Sequence, residues 1–256
     1  MSSEIITGLR RSMAGVRRPA PWLAPYVIGY IADEPTEVRQ IRCVPDCRIV
    51  MSISFDTGRS AVKGLHDGPT LLQLPGRERT LATMLTPWGA RELFGTGMHE
   101  LANAHTDLSA LLGREASQLA MRLADAPDWP ARYALLDTWL TRRLVDSSPS
   151  GIVNAFRRLH SSAGTVSMED LAGDVGWSSR GLQARFRDHV GLPPKTIARI
   201  IRFHRAVRLL ATSGRRAGEV AAECGYWDQA HLNRDFRTLA GRSPSRLLAA
   251  LGGSAL

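Results

Sequence analysis

Leu171–Pro194 reads LAGDVGWSSRGLQARFRDHVGLPP, and Val220–Pro244 reads VAAECGYWDQAHLNRDFRTLAGRSP. The second stretch repeats the first at its structural positions. Leu171-Ala172 aligns with Val220-Ala221, Val175-Gly176 with Cys224-Gly225, and Trp177 with Tyr226. After the turn, Leu182 aligns with Leu232, Phe186 with Phe236, Gly191 with Gly241, and Pro194 with Pro244. The offset is 49 before the turn and 50 after it, so the second turn carries one extra residue. Two copies of one local design point to one physical task performed twice. Apolar helix, Gly-centred turn and second helix describe a helix-turn-helix, whose second helix can enter a DNA major groove.

The helix signals agree. Ser167-Met168-Glu169-Asp170 offers an N-cap with an acid three residues on, close to a capping box. Met168, Leu171, Ala172 and Val175 recur at helical spacing, and Gly176 stands where the backbone must leave the helix. Ser178 or Ser179 can cap the next helix, as Asp228 can in the second copy. Around the inward pairs, the second helices carry Arg180, Gln183, Ala184, Arg185 and Arg187 in one copy. The other has Gln229, Ala230, His231, Asn233, Arg234 and Arg237. Arg, Gln and Asn form bidentate hydrogen bonds with base edges. One such face alone reads equally well as a solvated surface; equivalent faces in two repeats favour DNA.

VAAECGYWDQAHLNRDFRTLAGRSPSRL resembles the signature of the AraC/XylS family of bacterial transcription regulators. Its parts are a helix, a Gly-aromatic turn, a recognition helix ending in Phe-Arg, then Gly-x-x-Pro. KTIARIIRFHRAVRLL, Lys195–Leu210, is similar to the long helix joining the two family repeats. The resemblance covers about the last 100 residues of the chain. It implies a sequence-specific regulator acting on double-stranded DNA, with RNA polymerase as a candidate partner. Arg180, Gln183, Gln229, His231 and Arg234 are then the expected base contacts. Arg187, Arg199, Arg202, Arg205, Arg237 and Arg242 are the expected phosphate contacts. Ala184 and Ala230 depart from the family, whose members often carry larger base-reading residues there. Fewer base hydrogen bonds, or contact with a thymine methyl, would follow.

Charge agrees independently. The formal net charge is +9. Residues 151–256 hold 16 Lys/Arg and 8 Asp/Glu, against 17 and 16 in residues 1–150. The excess thus lies in the repeat region, as a polyanion-binding footprint requires. There is no run of 18 apolar residues and no signal-peptide core, so neither membrane insertion nor secretion is expected, and the cytoplasm is the expected location.

The expected fold class is α+β, with the short strands of residues 1–145 suggesting a small barrel or sandwich followed by helices, a cupin-like barrel being what the family resemblance implies. A polar linker over 146–151 and an all-α DNA-binding domain over 152–250 follow. Strands are predicted at Tyr26–Ala32, Val38–Val44, Arg48–Phe55, Ala61–Leu65 and Leu81–Leu85. Turns are predicted at Pro45-Asp46, Asp56-Thr57-Gly58, Asp67-Gly68-Pro69 and Pro75-Gly76. Helices are predicted near 90–95, 106–124 and 129–145. In the AraC/XylS family such a barrel commonly senses a small effector and dimerises, so a homodimer and an unidentified effector are implied. Ile49, Met51, Ile53 and Phe55 either line an apolar pocket or fill the barrel as core, with Trp88 at the expected mouth.

Enzyme and metal chemistry find little support. His66, His99 and His105 form no HxH or HxxxH pattern, and no metal site is expected. Cys43 and Cys47, spaced C-x3-C, are either neutral strand-end thiols or a redox pair, too few for structural zinc. No nucleophile elbow, phosphate loop or dinucleotide fingerprint occurs, so neither catalysis nor a cofactor is expected. Three function classes remain: an effector-responsive regulator, a constitutive regulator whose barrel only dimerises, and a regulator fused to DNA-repair methyltransferase chemistry.

Overall fold

Alternation of apolar and polar residues at the N-terminal end gives way to helical periodicity, and the molecule is built in that order. The computed structural model describes residues 5–7, 16–33, 39–74, 78–144 and 150–252. Strands β1 (Ile5–Thr7), β3 (Arg39–Cys43) and β6 (Thr70–Leu74) form one sheet in the order β1-β3-β6. Strands β2 (Val27–Asp33), β4 (Ile49–Ser54), β5 (Ala61–Lys63), β7 (Thr80–Leu85) and β8 (His105–Asp107) form a second, antiparallel sheet in the order β2-β7-β4-β5-β8. On the central strand β4, Ile49, Met51 and Ile53 are buried while Val50 and Ser52 are half-buried, the period-2 pattern the sequence predicts.

Five of these strands coincide with predicted ones to within two residues at each end; β1, β6 and β8 were not anticipated. The helices of this half are α1 (Pro87–Phe94), α2 (Leu108–Leu112), α3 (Arg114–Asp125) and α4 (Trp129–Thr141). The single helix predicted over 106–124 is two helices. Gly113, at φ 57°, ψ −137°, breaks it, in a conformation only glycine adopts without strain. Asp107 and Asp128 cap α2 and α4 by accepting the Ser109 and Ala131 N–H groups at 2.7 and 2.8 Å.

The C-terminal half comprises α5 (Ser150–Ser161), α6 (Met168–Asp174), α7 (Ser179–His189), α8 (Pro194–Thr212), α9 (Ala217–Glu223), α10 (Gln229–Ala240) and α11 (Pro244–Gly252). Of the expected linker, residues 146–149 lie outside the described residues, as does the Pro75-Gly76 turn; Ser150-Gly151 open α5. Both halves contribute to one contiguous buried core, from Leu23 through Leu136 and Phe156 to Leu251. Among the described residues, no helix is long and apolar enough to cross a membrane.

Candidate nucleic-acid interface

The two helix-turn-helix units are assembled from the same parts. Ser167 Oγ accepts the Asp170 N–H at 3.0 Å and donates to the Asp170 carboxylate, starting α6. Ser178 Oγ accepts the Gly181 N–H at 3.1 Å to start α7, and Asp228 Oδ1 accepts the His231 N–H at 2.6 Å to start α10. The turns pass through Gly176 and Gly225 at φ 68° and 72°, which L side chains rarely adopt. Leu182 and Phe186 of α7, and Leu232 and Phe236 of α10, are buried. Phe203 of α8 meets Phe236 edge-on at 4.9 Å.

The opposite faces are open. Arg180, Gln183, Ala184, Arg185 and Arg187 are exposed on α7, and Gln229, Ala230, Arg234 and Arg237 on α10; His231 and Asn233 are half-buried. Between the units, α8 runs for 19 residues, about 28 Å at ~1.5 Å per residue. Its Ile197, Ile200, Ile201 and Val207 are buried.

This arrangement has known counterparts. Residues 171–250 match the family described as Helix-turn-helix domain, and residues 16–107 match a Domain of unknown function, DUF6597. The HTH-type transcriptional activator RhaR of Pectobacterium atrosepticum is 28% identical over 138 residues, covering 54% of this chain and 44% of that protein. RhaR of Klebsiella pneumoniae is 26% identical over 159 residues, covering 61% and 53%. The chain thus spans about half the length of the curated relatives it matches. The DNA-binding domain of AdpA, a global transcriptional factor solved in complex with a target DNA, is 32% identical. That match covers 42% of this chain and 96% of AdpA's domain, with a TM-score of 0.36. The chain belongs to the AraC/XylS family.

The two repeats of this AraC/XylS chain differ at their aromatic turns. In the first, Trp177 is half-buried, with the Arg185 guanidinium 4.5 Å above its ring. It packs so closely on α5 that a Cβ at Gly151 would fall 2.4 Å from Trp177 Cζ2. In the second, Tyr226 takes the buried position with Arg202 over its ring, and the extra residue is Trp227, 93% exposed. Trp227 stands beside Gln229 and His231 at the start of α10, its backbone N–H donating to His231 Nδ1 at 3.4 Å. The sequence reading passed over Trp227, although the step from offset 49 to 50 marks this position.

Of the six expected phosphate contacts, Arg199 and Arg205 are ion-paired within the domain, and Arg202 lies over an aromatic ring with its Nε unpartnered. Arg199 donates to Asp235 Oδ1 through Nη2 at 2.9 Å and Nε at 3.2 Å, tying α8 to α10. Arg205 pairs with Glu223 at 3.3 Å, and Arg202 lies over Tyr226. Their guanidiniums hold the module's joints. Arg187 and Arg237 remain on the surface, and Arg242 is half-buried.

The N-terminal half meets this module at the C-terminal ends of α7 and α10, at the middle of α8 and at α5. Arg91 of α1 pairs with Asp188 at 2.8 Å. A Cβ at Gly191 would fall 2.8 Å from the Met98 carbonyl oxygen, so only glycine permits that approach. His204 Nε2 hydrogen-bonds the Pro45 carbonyl at 2.7 Å. Burial holds both His189 and His204 below the usual imidazole range. Trp88 lies on the same seam, where its Nε1 donates to the Pro25 carbonyl at 2.8 Å and its ring meets Phe156 of α5 edge-on at 5.3 Å. Trp88, expected at a pocket mouth, thus contacts the C-terminal half through Phe156. Ile49, Met51 and Ile53 are fully enclosed as core, and Phe55 borders an open cleft. Cys43, Cys47 and Cys224 are free thiols. Burial pushes the Cys47 thiol well up, which disfavours the reactive thiolate.

Proposed function

We propose that this chain is a sequence-specific regulator of transcription that reads double-stranded DNA with α7 and α10 and adjusts that reading through its N-terminal half. The observation that carries the reading is the pair of exposed Arg/Gln faces mounted on one α8 frame. A separation of about one DNA turn, ~34 Å, would let both enter successive major grooves on one side of the duplex. Base contacts are assigned to Arg180, Gln183, Gln229, His231 and Arg234, with the exposed Trp227 beside them. Arg187, Arg237 and Arg242 serve phosphates. Residues 1–145 act as the sensing and dimerising domain and 152–250 as the DNA-binding domain, with a small effector, a second copy of the chain and RNA polymerase as partners. The docking of Arg91 on Asp188 and Pro45 on His204 supports a link between the halves, because an effector alters DNA binding only if it favours one arrangement over another.

The test is selection of binding sites from random duplexes followed by footprinting. One protomer should protect about two turns. Protection confined to a single 4–5 bp element would overturn the two-reader geometry. Affinity measured against salt should fall with a log–log slope near −3, for about three neutralised phosphates at ~0.9 each; a slope near zero would mean the basic surface faces away from DNA.

A further inference from the structure

A cleft of about 450 Å³ opens on the flank of the N-terminal half, between the Ser54–Ser60 loop, the β8–α2 junction and α3. It exists because α3 turns Ala116, Ala120 and Ala124, spaced four apart, toward it. Phe55 and Met121 also line it, and Met121 is left 60% exposed. A long apolar side chain standing in solvent at the rim of a hollow lined by alanines is unusual packing for a helix that otherwise buries Leu119 and Leu123 completely.

The polar lining is independent evidence for a ligand. Ser60 is 6% exposed, its N–H donates to the Gly58 carbonyl and its own carbonyl accepts the Leu108 N–H. Its hydroxyl, by contrast, is buried and has no hydrogen-bond partner, a state that costs free energy until something supplies one. Two other lining hydroxyls are already served: Ser54 Oγ donates to Glu78, and Ser117 Oγ donates to the Arg114 carbonyl. The charged residues lining the cleft, Asp107 and Asp125, are both acids. The Arg132 guanidinium lies behind Phe55 at 5.5 Å from its ring and is spent on the Leu123 and Ala124 carbonyls.

We propose that this cleft binds a small, non-anionic molecule rich in hydrogen-bond donors, with one apolar face on Phe55 and a polar group on the Ser60 hydroxyl. Its volume falls within the usual range for small-molecule sites, ~300–1,000 Å³. Hydroxyl or ammonium groups satisfy the two carboxylates, whereas a carboxylate or phosphate ligand meets like charge with no cation lining the site. The inference deepens the effector reading above and moves the site from the strand core to the flank of α3.

Three probes share a 4-hydroxyphenyl body and differ in their ends: tyramine, tyrosol and 4-hydroxyphenylacetate. They are titrated calorimetrically into the full chain, alongside Trp emission, since Trp129 packs 5.9 Å from Phe55. Tyramine and tyrosol should bind, and the acid should bind at least about tenfold more weakly. Ala124→Phe should abolish uptake by filling the hollow. The exposed Asp125→Asn should weaken tyramine about fivefold and leave tyrosol within about twofold. Circular dichroism on each variant separates lost binding from lost folding. Equal binding of the acid overturns the chemical class; uptake unchanged in both variants, or none of the three probes bound, overturns the site. DNA affinity of the same wild-type preparation keeps the two ideas apart: retained DNA binding without probe uptake sinks the cleft alone, and lost sequence-specific binding sinks the regulator reading.

Discussion

The two helix-turn-helix repeats share caps, turn glycines and core pairs, yet they are anchored to different things. The first is tied to the N-terminal half through Asp188 and Gly191, and its turn aromatic is clasped between Arg185 and α5. The second is tied to α8 through Asp235 and Arg199, and its extra residue projects into solvent. One local design is thus pinned by an ion pair to the N-terminal half in one place and to α8 in the other. The N-terminal half also comes close to α10 itself, since a Cβ at Gly68 would lie 3.8 Å from the Thr238 carbonyl oxygen and one at Gly241 would lie 3.5 Å from Arg42 Nη1, so ion pairing rather than proximity distinguishes the two repeats.

The largest effect that would break this contrast is on Asp235, only 4% exposed. Asp235→Ala leaves Arg199 without its acceptor at a half-closed joint. It should lower unfolding stability by about 2–3 kcal/mol, below the fully buried case because Arg199 is partly solvated. Asp188→Ala, at a pair with both partners over a third exposed, should cost about 0.5 kcal/mol or less. Equal losses in chemical denaturation would erase the distinction.

Next come the readers. Arg180→Ala or Arg234→Ala should each weaken specific DNA by roughly 1–3 kcal/mol and relax preference at one base pair. An equal loss on random DNA would make that arginine a phosphate contact. Trp227→Ser should weaken specific binding by about 1 kcal/mol, through lost apolar contact with a thymine methyl or sugar. An unchanged binding constant would reduce the extra turn residue to a spacer.

The smallest effect concerns pH. Burial lowers both His189 and His204, so the docked state favours their neutral forms. Docking is then fully supported above the free imidazole value of about 6.5 and weakens as pH falls below it. Asp46, Arg48 and His160 surround His204, while Arg91, Asp188 and Arg185 surround His189. Emission of Trp88, on the seam, should change between pH 7.5 and 5.5, and His204→Gln should flatten that change; a flat wild-type profile would remove the histidines from the coupling.

What the sequence revealed depended on how local the cause was. Caps at Ser178 and Asp228 and the turn glycines are chemistry among near neighbours, and they were readable in advance. Strand β8 gains its ladder from β5, more than forty residues upstream, and nothing in His-Thr-Asp announces that pairing. Residue type alone made Arg199 a phosphate ligand; only the position of Asp235 turns it inward. The seam at Pro45, Met98 and Trp88 likewise has no periodicity to read. Ala116, Ala120 and Ala124 look like ordinary helix formers until Ser60 is found across from them.

One feature of α8 carries a consequence for evolution. Arg199, which fixes the second reader, and His204, which grips the N-terminal half, are five residues apart on a single helix. Inserting or deleting one residue between them would swing the two contacts by about 100° relative to each other. Under the proposed function, responsiveness and the phasing of the two readers would be inherited as a unit: a descendant that adapted to a differently spaced operator through this segment would have to rebuild its regulation at the same time.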